Sequence, residues 1–118
     1  MQTLAVALVG VVALLHAYFL VLEMFLWRTR ARRVFGLTAE QAEATAVLAQ
    51  NQGLYNGFLA AGLGWALLSG TELVPRATFF LACVVLAGVF GAVTVGRTVL
   101  YVQALPAALA LAALWLSR

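Results

Sequence analysis

Two ionisable side chains in the first apolar stretch of the sequence are of the types that move protons. His16 and Glu23 are seven residues apart, so on a helix they lie about 20° apart around the axis and about 10 Å apart along it. At that separation they cannot hydrogen-bond to each other, but both can line one cleft. Because ionisable groups inside such a segment cost roughly 2.5–3.5 kcal/mol each to insert in a membrane, they usually have a function. We therefore treat His16 and Glu23 as candidate catalytic residues.

A second group of polar side chains lies between residues 50 and 57. On a helix, four of these side chains occupy one arc of about 140°: Asn51, Gln52, Tyr55 and Asn56. The opposite arc carries only small residues: Gly53, Gly57, Ala60 and Gly64. Small residues at this spacing favour close helix packing. A phenol beside amides can bind and activate a polar group of a substrate, so Tyr55 is the third candidate catalytic residue.

Four candidate substrate-binding residues share one depth with Glu23: Asn51, Gln52, Asn56 and Gln103. Trp27 is the fifth candidate, because it lies on the helix stripe of His16 and Glu23. Three separate apolar stretches thus place polar groups at the same level, which structural contacts alone would not require. The structural alternative is that Glu23 pairs with an arginine, His16 bonds to a neighbouring helix and the amides join helices. The stripe of Cys83, Ala87, Gly91 and Thr94, with Gly88 beside it, is expected to be a packing surface.

These residues must be held by elements that the composition places in a membrane. The 118 residues are 65% hydrophobic and only 9% charged, and the mean hydropathy is +1.05. Soluble domains are about a quarter charged, so eleven charged residues cannot cover a water-soluble surface of this size. The same composition excludes a disordered chain, a coiled coil and a nucleic-acid-binding module. The sequence therefore predicts an integral membrane protein.

The apolar runs predict an all-α fold, a four-helix bundle of a single domain covering residues 1–118. The expected spans are residues 4–27, 46–69, 77–96 and 98–117, each long enough to cross about 30 Å of hydrocarbon. Thr38 and Gln41 have the spacing of a capping box, so the second helix is expected to begin near Thr38 and to enter the membrane near Ala46. Residues 69–72 with Pro75 predict a turn, and Gly96-Arg97 predicts a tight hairpin.

The arginines predict the orientation of these spans. Of the seven arginines, five lie in the first and third connections: Arg28, Arg30, Arg32, Arg33 and Arg97. The positive-inside rule then places both termini of this multi-pass protein outside and the arginine-rich side in the cytoplasm. The cluster Arg28, Arg30, Arg32 and Arg33 is expected to contact anionic lipid headgroups of the bilayer. The net charge of +3 is not a sign of nucleic-acid binding.

Several of the same segments resemble one known family. The run Asn-Gln-Gly-Leu-Tyr-Asn-Gly at 51–57 carries the resemblance, with Glu-Met-Phe-Leu-Trp at 23–27, Ala-Gly-Val-Phe-Gly at 87–91 and Gln-Ala-Leu-Pro-Ala at 103–107. Together with His16, these segments are similar to small bacterial membrane proteins of the domain-of-unknown-function family 1304. The resemblance covers nearly the whole chain. It implies a four-span inner-membrane protein and no particular activity.

Three classes of function remain open on the sequence. The polar cleft favours a membrane enzyme or a binding protein for a lipophilic substrate. The alternatives are a non-catalytic assembly or accessory subunit, for which the polar faces are helix contacts, and a small proton-coupled transporter. The lone Cys83 allows neither an intrachain disulfide nor a metal site of its own, and no metal site is expected. The sequence names no cofactor, and a small chain of this kind is compatible with a homo-oligomer.

Overall fold

The computed structural model describes residues 1–118, and every element in it is helical, with no strand. The first helix, α1, spans Gln2–Met24, followed by a π-helical segment Trp27–Ala31 and a short helix α2 at Arg32–Val34. The longest helix, α3, is Ala39–Leu67. After a 3-10 turn at Gly70–Glu72, α4 spans Leu73–Thr94. The chain ends with α5 (Arg97–Val99), a second π-helical segment Leu100–Ala104 and α6 (Leu105–Leu116).

The start of α3 follows from its first residues. Thr38 has extended backbone, its side chain accepts a hydrogen bond from the Gln41 backbone N–H at 3.1 Å, and the Gln41 side chain accepts one from the Thr38 N–H at 2.9 Å. This reciprocal pair satisfies two N–H groups that a helix start leaves free. The predicted capping box and the beginning of the second helix are confirmed. Gly36, with a φ of 67°, makes the turn that precedes it.

Three helices are long and apolar enough to cross a membrane: Gln2–Met24, Gly70–Thr94 and Arg97–Leu116. The remaining expected span, residues 46–69, lies in α3, and α3 is not among these three helices. Its polar run between residues 50 and 56 lowers its hydropathy, so that span stays a prediction. Large apolar side chains also cover the outside of the molecule, with Leu14, Leu68 and Leu86 all more than two-thirds exposed. Such a surface is consistent with a membrane protein.

The helix ends differ from the expected spans in detail. Helix α1 ends at Met24, before the expected end at residue 27, because the chain turns at Phe25 and Leu26 into the π-helical segment. Helix α4 begins at Leu73 and includes Pro75 in its first turn. The N–H groups of a first turn make no hydrogen bond within the helix, so the N–H that proline lacks is not needed there. Pro106 has no N–H for the carbonyl of Val102, and the turn before it has widened into a π-helix.

The four longest helices pack in a ring. Helix α1 lies against α3 and α6, and α4 lies against the same two helices on the other side. The core between them is built from alanine and branched aliphatic residues of all four: Ala5, Val9, Val12, Leu63, Ala66, Ala77, Leu81, Val84, Ala107, Ala110, Ala113 and Leu114. These positions lie toward the chain termini and the turn at residues 68–72, which we name the terminal end. The opposite end, with residues 25–38 and 95–97, is named the arginine end.

Candidate functional site

A cavity occupies the half of the molecule near the arginine end. It has a volume of about 750 Å³ and lies among the last turns of α1 and α4, the middle of α3 and the segment that follows Gly96. Five residues expected at the site line it: Glu23, Trp27, Gln52, Asn56 and Gln103. Apolar and aromatic side chains make up most of the remaining wall. The structure thus brings together residues from three separate stretches of the sequence.

Glu23 and Asn56 form the central polar contact of this cavity. The Asn56 side-chain Nδ2 donates a hydrogen bond to Glu23 Oε1, and Asn56 is buried while Glu23 is half-buried. The contact exists because α3 presents glycines to α1. A Cβ on Gly53 would lie 3.2 Å from the Leu20 carbonyl oxygen. Glu23 forms no ion pair, so the expected arginine partner of the structural alternative is not found.

His16 lies deeper than the cavity and is fully buried. Its Nδ1 is 2.8 Å from the carbonyl oxygen of Val12, which can only accept, so Nδ1 carries the hydrogen. In the neutral ring Nε2 is then an acceptor, and it lies 3.3 Å from the Gln103 side-chain nitrogen, which donates to it. Both ring nitrogens are therefore bonded to protein groups. His16 acts on the cavity only through Gln103, which lines its wall.

Trp27 is positioned by the π-helical segment that follows α1. Its indole N–H donates to the Thr45 hydroxyl oxygen at 3.0 Å, and that hydroxyl donates to the Gln41 carbonyl at 2.7 Å. The indole also packs against the Phe35 ring, with 5.6 Å between ring centroids. Because Thr45 lies one turn above the capping box, the capped start of α3 holds the indole at the cavity wall.

Asn51 and Tyr55 lie outside the cavity, contrary to the expectation that they would share it. Both are exposed, and the nearest aromatic neighbour of Tyr55 is Phe58, with ring centroids 6.1 Å apart. The polar arc of α3 is broad, and α3 turns its glycine face to α1. Only the edge of the arc beside that face, Gln52 and Asn56, reaches the cavity. Gly64, at the far end of the glycine face, has no atom within 4 Å of an added Cβ.

The chain that forms this cavity is similar to a family described as having no known function. Residues 10–115 match a family model described as "Protein of unknown function (DUF1304)". The chain belongs to the DUF1304 family. An uncharacterised protein, YpaA, of Lactococcus lactis subsp. lactis (strain IL1403) is 31% identical over 114 residues, which cover 94% of this chain and 96% of that protein. No solved structure matches the chain. The expected family is confirmed.

Several residues of the cavity in this DUF1304 protein were not expected from the sequence. Ala87, Gly91 and Thr94 of the stripe expected to be a packing surface also line the cavity, while Gly91 and the adjacent Gly88 pack closely against Val99 and Ala104. Three phenylalanines also line it: Phe19, Phe35 and Phe90. The small residues of α4 therefore both pack against the last segment of the chain and border the cavity. Their spacing on one face was visible in the sequence, but small residues that pack and small residues that leave a void share the same pattern.

The arginine cluster lies beside the cavity and outside its wall. Arg28 pairs with Glu43 through two bonds, Nε to Oε2 at 2.6 Å and a second guanidinium nitrogen to Oε1 at 3.2 Å. The hydrogen bonds to Arg28 and its positive charge lower the pKa of the Glu43 carboxyl. The same hydrogen bonds and the negative charge of Glu43 raise the pKa of the Arg28 guanidinium. Arg30, Arg32 and Arg33 are exposed. Arg32 donates from its Nε to the Leu37 carbonyl at 3.2 Å, and the Arg30 guanidinium lies 6.0 Å from the centroid of the Tyr18 ring.

Proposed function

We propose that this protein is an inner-membrane four-helix bundle that binds a lipophilic molecule in the cavity near its arginine end. The observation that carries the proposal is the cavity itself: about 750 Å³, mostly apolar and aromatic, with a carboxyl and three amides on its wall. Sites for small molecules have this volume and this combination of apolar surface with a few polar groups. The proposal is for binding; it assigns no reaction.

The packing of the four long helices supports the bundle. Three of them have the length and hydropathy of spans, and α3 packs between two of these, α1 and α4. With 29 residues, α3 is about 43 Å long, which exceeds a hydrocarbon core of about 30 Å. Its capped, polar first turns then extend into the headgroup region. In this arrangement the cavity opens toward the cytoplasmic leaflet, and Arg30, Arg32 and Arg33 contact anionic headgroups.

The state of His16 favours binding over proton transfer. Its two ring nitrogens are held by Val12 and Gln103, and no part of the residue is exposed. Of the other two expected catalytic residues, Tyr55 lies outside the cavity and Glu23 lies on its wall. The polar residues on the wall are therefore suited to orienting a bound molecule. This supports the binding alternative among the classes that the sequence left open.

A substitution that fills the cavity tests the proposal. Ala87→Phe places a ring into the cavity from α4, whereas Leu86→Phe is a matched control because Leu86 is 71% exposed on the same helix. Both are made in a chain whose only tryptophan is Trp27, with Trp65 and Trp115 replaced by phenylalanine. The probe is a nitroxide-labelled fatty alcohol added to the purified protein in maltoside detergent. Melting temperatures are compared first to establish that each variant folds.

We expect saturable quenching of Trp27 fluorescence in the parent and in Leu86→Phe, and its loss in Ala87→Phe. The tryptophan lies on the cavity wall, so a bound nitroxide chain is close to it. Quenching that rises linearly with probe in all three proteins, as for a chain dissolved in the micelle, would overturn the proposal. Saturable quenching that survives in Ala87→Phe would also overturn it, because the probe would then bind elsewhere.

A further inference from the structure

Several hydrogen-bond donors on the cavity wall are engaged with protein acceptors. The Trp27 indole N–H donates to Thr45, and the Thr94 hydroxyl donates to the Phe90 carbonyl at 2.8 Å. Asn56 donates one N–H to Glu23, and Gln103 donates one N–H to the buried ring of His16. The remaining donors are free for a ligand: a second N–H on each of these two amides, the Gln52 amide and the Thr98 hydroxyl.

The wall also keeps acceptors that no protein donor uses. The Glu23 carboxyl has a second oxygen without a protein donor, and the side-chain carbonyls of Asn56 and Gln103 accept no protein bond. Glu23 is also the only ionisable side chain that lines the cavity; no arginine does. A ligand that donates hydrogen bonds and carries positive charge would satisfy this wall, whereas an anion would meet a carboxyl and carbonyl oxygens.

The backbone and the aromatic rings add to this preference. Two helix carboxyl ends border the cavity, those of α1 and α4 with 23 and 22 residues, against one amino end, that of the helix Arg97–Leu116. The carboxyl end of a helix carries partial negative charge and favours cations. Four aromatic residues line the cavity as well: Phe19, Trp27, Phe35 and Phe90. Aromatic faces attract ammonium groups, most strongly where water is excluded.

From this wall we infer that the ligand is a lipophilic cation, an alkylammonium whose charged head lies at Glu23 and whose chain lies along the apolar part of the cavity. The inference rests on the proposed binding function and names the ligand class for the same cavity. The arginine cluster does not oppose it, because Arg28 is neutralised by Glu43 and the other arginines lie outside the wall. If the ligand were an anionic amphiphile, these arginines would hold its head, and the comparison of probes by charge tests that alternative.

Three probes with one twelve-carbon chain separate these ligands by charge. Dodecylammonium, dodecanol and dodecanoate compete with the nitroxide alcohol for the protein whose only tryptophan is Trp27, and each affinity is corrected for partition into the micelle. We expect the ammonium to bind about tenfold more tightly than dodecanol, since charge-assisted contacts are worth that much. Dodecanoate is expected to bind most weakly.

Glu23→Gln is expected to remove the preference for the ammonium over dodecanol. Glu43→Gln is the matched control, because that carboxyl lies outside the cavity, and it should keep the preference. If Glu23→Gln does not fold, Thr98→Arg replaces it, since Thr98 is exposed and lines the cavity. An arginine there should weaken the ammonium and strengthen dodecanoate.

The outcomes separate this inference from the function on which it rests. Saturable binding of all three probes with equal affinity would overturn the cation assignment and leave lipophilic binding in place. Preference for dodecanoate would overturn it in favour of an anionic amphiphile held by the arginine cluster. No saturable binding of any probe would overturn both. Retention of the ammonium preference in Glu23→Gln or in Thr98→Arg would also overturn the assignment, because the head would not lie at Glu23.

Discussion

At the scale of single residues, His16 and Glu23 differ although they share one face of α1. Glu23 lies on the cavity wall and has an oxygen free for a ligand, while His16 is closed off by its two hydrogen bonds. Seven residues along α1 lead from the open cavity into the packed part of the molecule. His16 is therefore best understood as the group that holds Gln103 in place.

This role predicts a coupled loss of stability at His16 and Gln103. Gln103→Leu should lower the free energy of unfolding by about 1–3 kcal/mol, because it leaves the buried His16 Nε2 without a donor. The double variant His16→Phe/Gln103→Leu should lose less than the sum of the two single variants. Unfolding in mixed detergent micelles measures all three. Gln52→Leu is the control, since Gln52 lines the same cavity without a protein hydrogen bond; equal losses for Gln52→Leu and Gln103→Leu would contradict the assigned role.

The exposed pair of Arg28 and Glu43 predicts a pH dependence. Because Arg28 lowers the pKa of Glu43 in the folded protein, the pair stabilises the fold above the unfolded pKa and loses its effect as the pH falls through the lowered folded pKa. Arg28→Gln should return the Glu43 pKa toward its ordinary value, as followed by carbon-13 NMR of the glutamate carboxyls. Arg33→Gln, which removes an exposed charge outside the pair, should leave the Glu43 titration where it is. An unchanged Glu43 pKa in Arg28→Gln would show that the pair does not persist in solution.

At the scale of elements, the features that could be predicted are those with local causes. The start of α3 follows from Thr38 and Gln41, which bond to each other within one turn. The tight connection between α4 and α5 was predicted from the adjacent pair Gly96 and Arg97. The shared depth of Glu23, Asn56 and Gln103 followed from counting residues along each apolar run. Each of these depends on neighbours in sequence, which is why the pattern was sufficient.

The features that could not be predicted depend on contacts between distant segments. The two π-helical segments place Trp27 and Gln103 on the cavity wall; nothing in the composition of the first marks it as irregular, and the second is marked only by Pro106, which follows it. Which edge of the polar arc faces inward depends on how α3 rotates against α1. That rotation placed Asn56 on the cavity and Asn51 outside it. The void itself arises from four helices together and has no signature in any one of them.

Close packing of α4 against the second π-helical segment predicts a large difference between two glycines. A Cβ on Gly88 would lie 2.6 Å from the Ala104 backbone nitrogen and 2.8 Å from its Cα, and backbone atoms cannot yield as a side chain can. Gly88→Ala should therefore lower the free energy of unfolding by about 1–3 kcal/mol. Gly64→Ala, at a helical glycine with open space, should be neutral or raise it by up to about 1 kcal/mol. Thermal unfolding of both variants decides this, and equal melting temperatures would mean that α4 lies farther from the segment than the structure shows.

At the scale of the whole molecule, the two ends differ in both packing and charge. The terminal end has the alanine-rich core and two arginines stacked on tryptophans, Arg76 on Trp65 at 4.2 Å and Arg118 on Trp115 at 4.3 Å from ring centroids. Tryptophans with arginines are typical of a membrane–water interface. The arginine end has the cavity and the other five arginines. Because the cavity lies in only one half of the molecule, a ligand of the proposed kind would enter from the arginine end.

This polarity leads to a prediction of orientation: both termini outside and the arginine end in the cytoplasm. A phosphatase that is active only in the periplasm should be active when fused after Arg118, and a fluorescent protein that folds only in the cytoplasm should be bright when inserted after Gly36, which lies in an exposed turn. The physical reason is the excess of arginine near residues 28–33 and 97, since positive connections remain on the cytoplasmic side. Replacing Arg30, Arg32 and Arg33 by glutamine leaves two arginines on each side and should give a mixture of the two orientations. A cytoplasmic signal after Arg118 in the parent would place the cavity at the outer leaflet, so a ligand would have to enter from the periplasmic side.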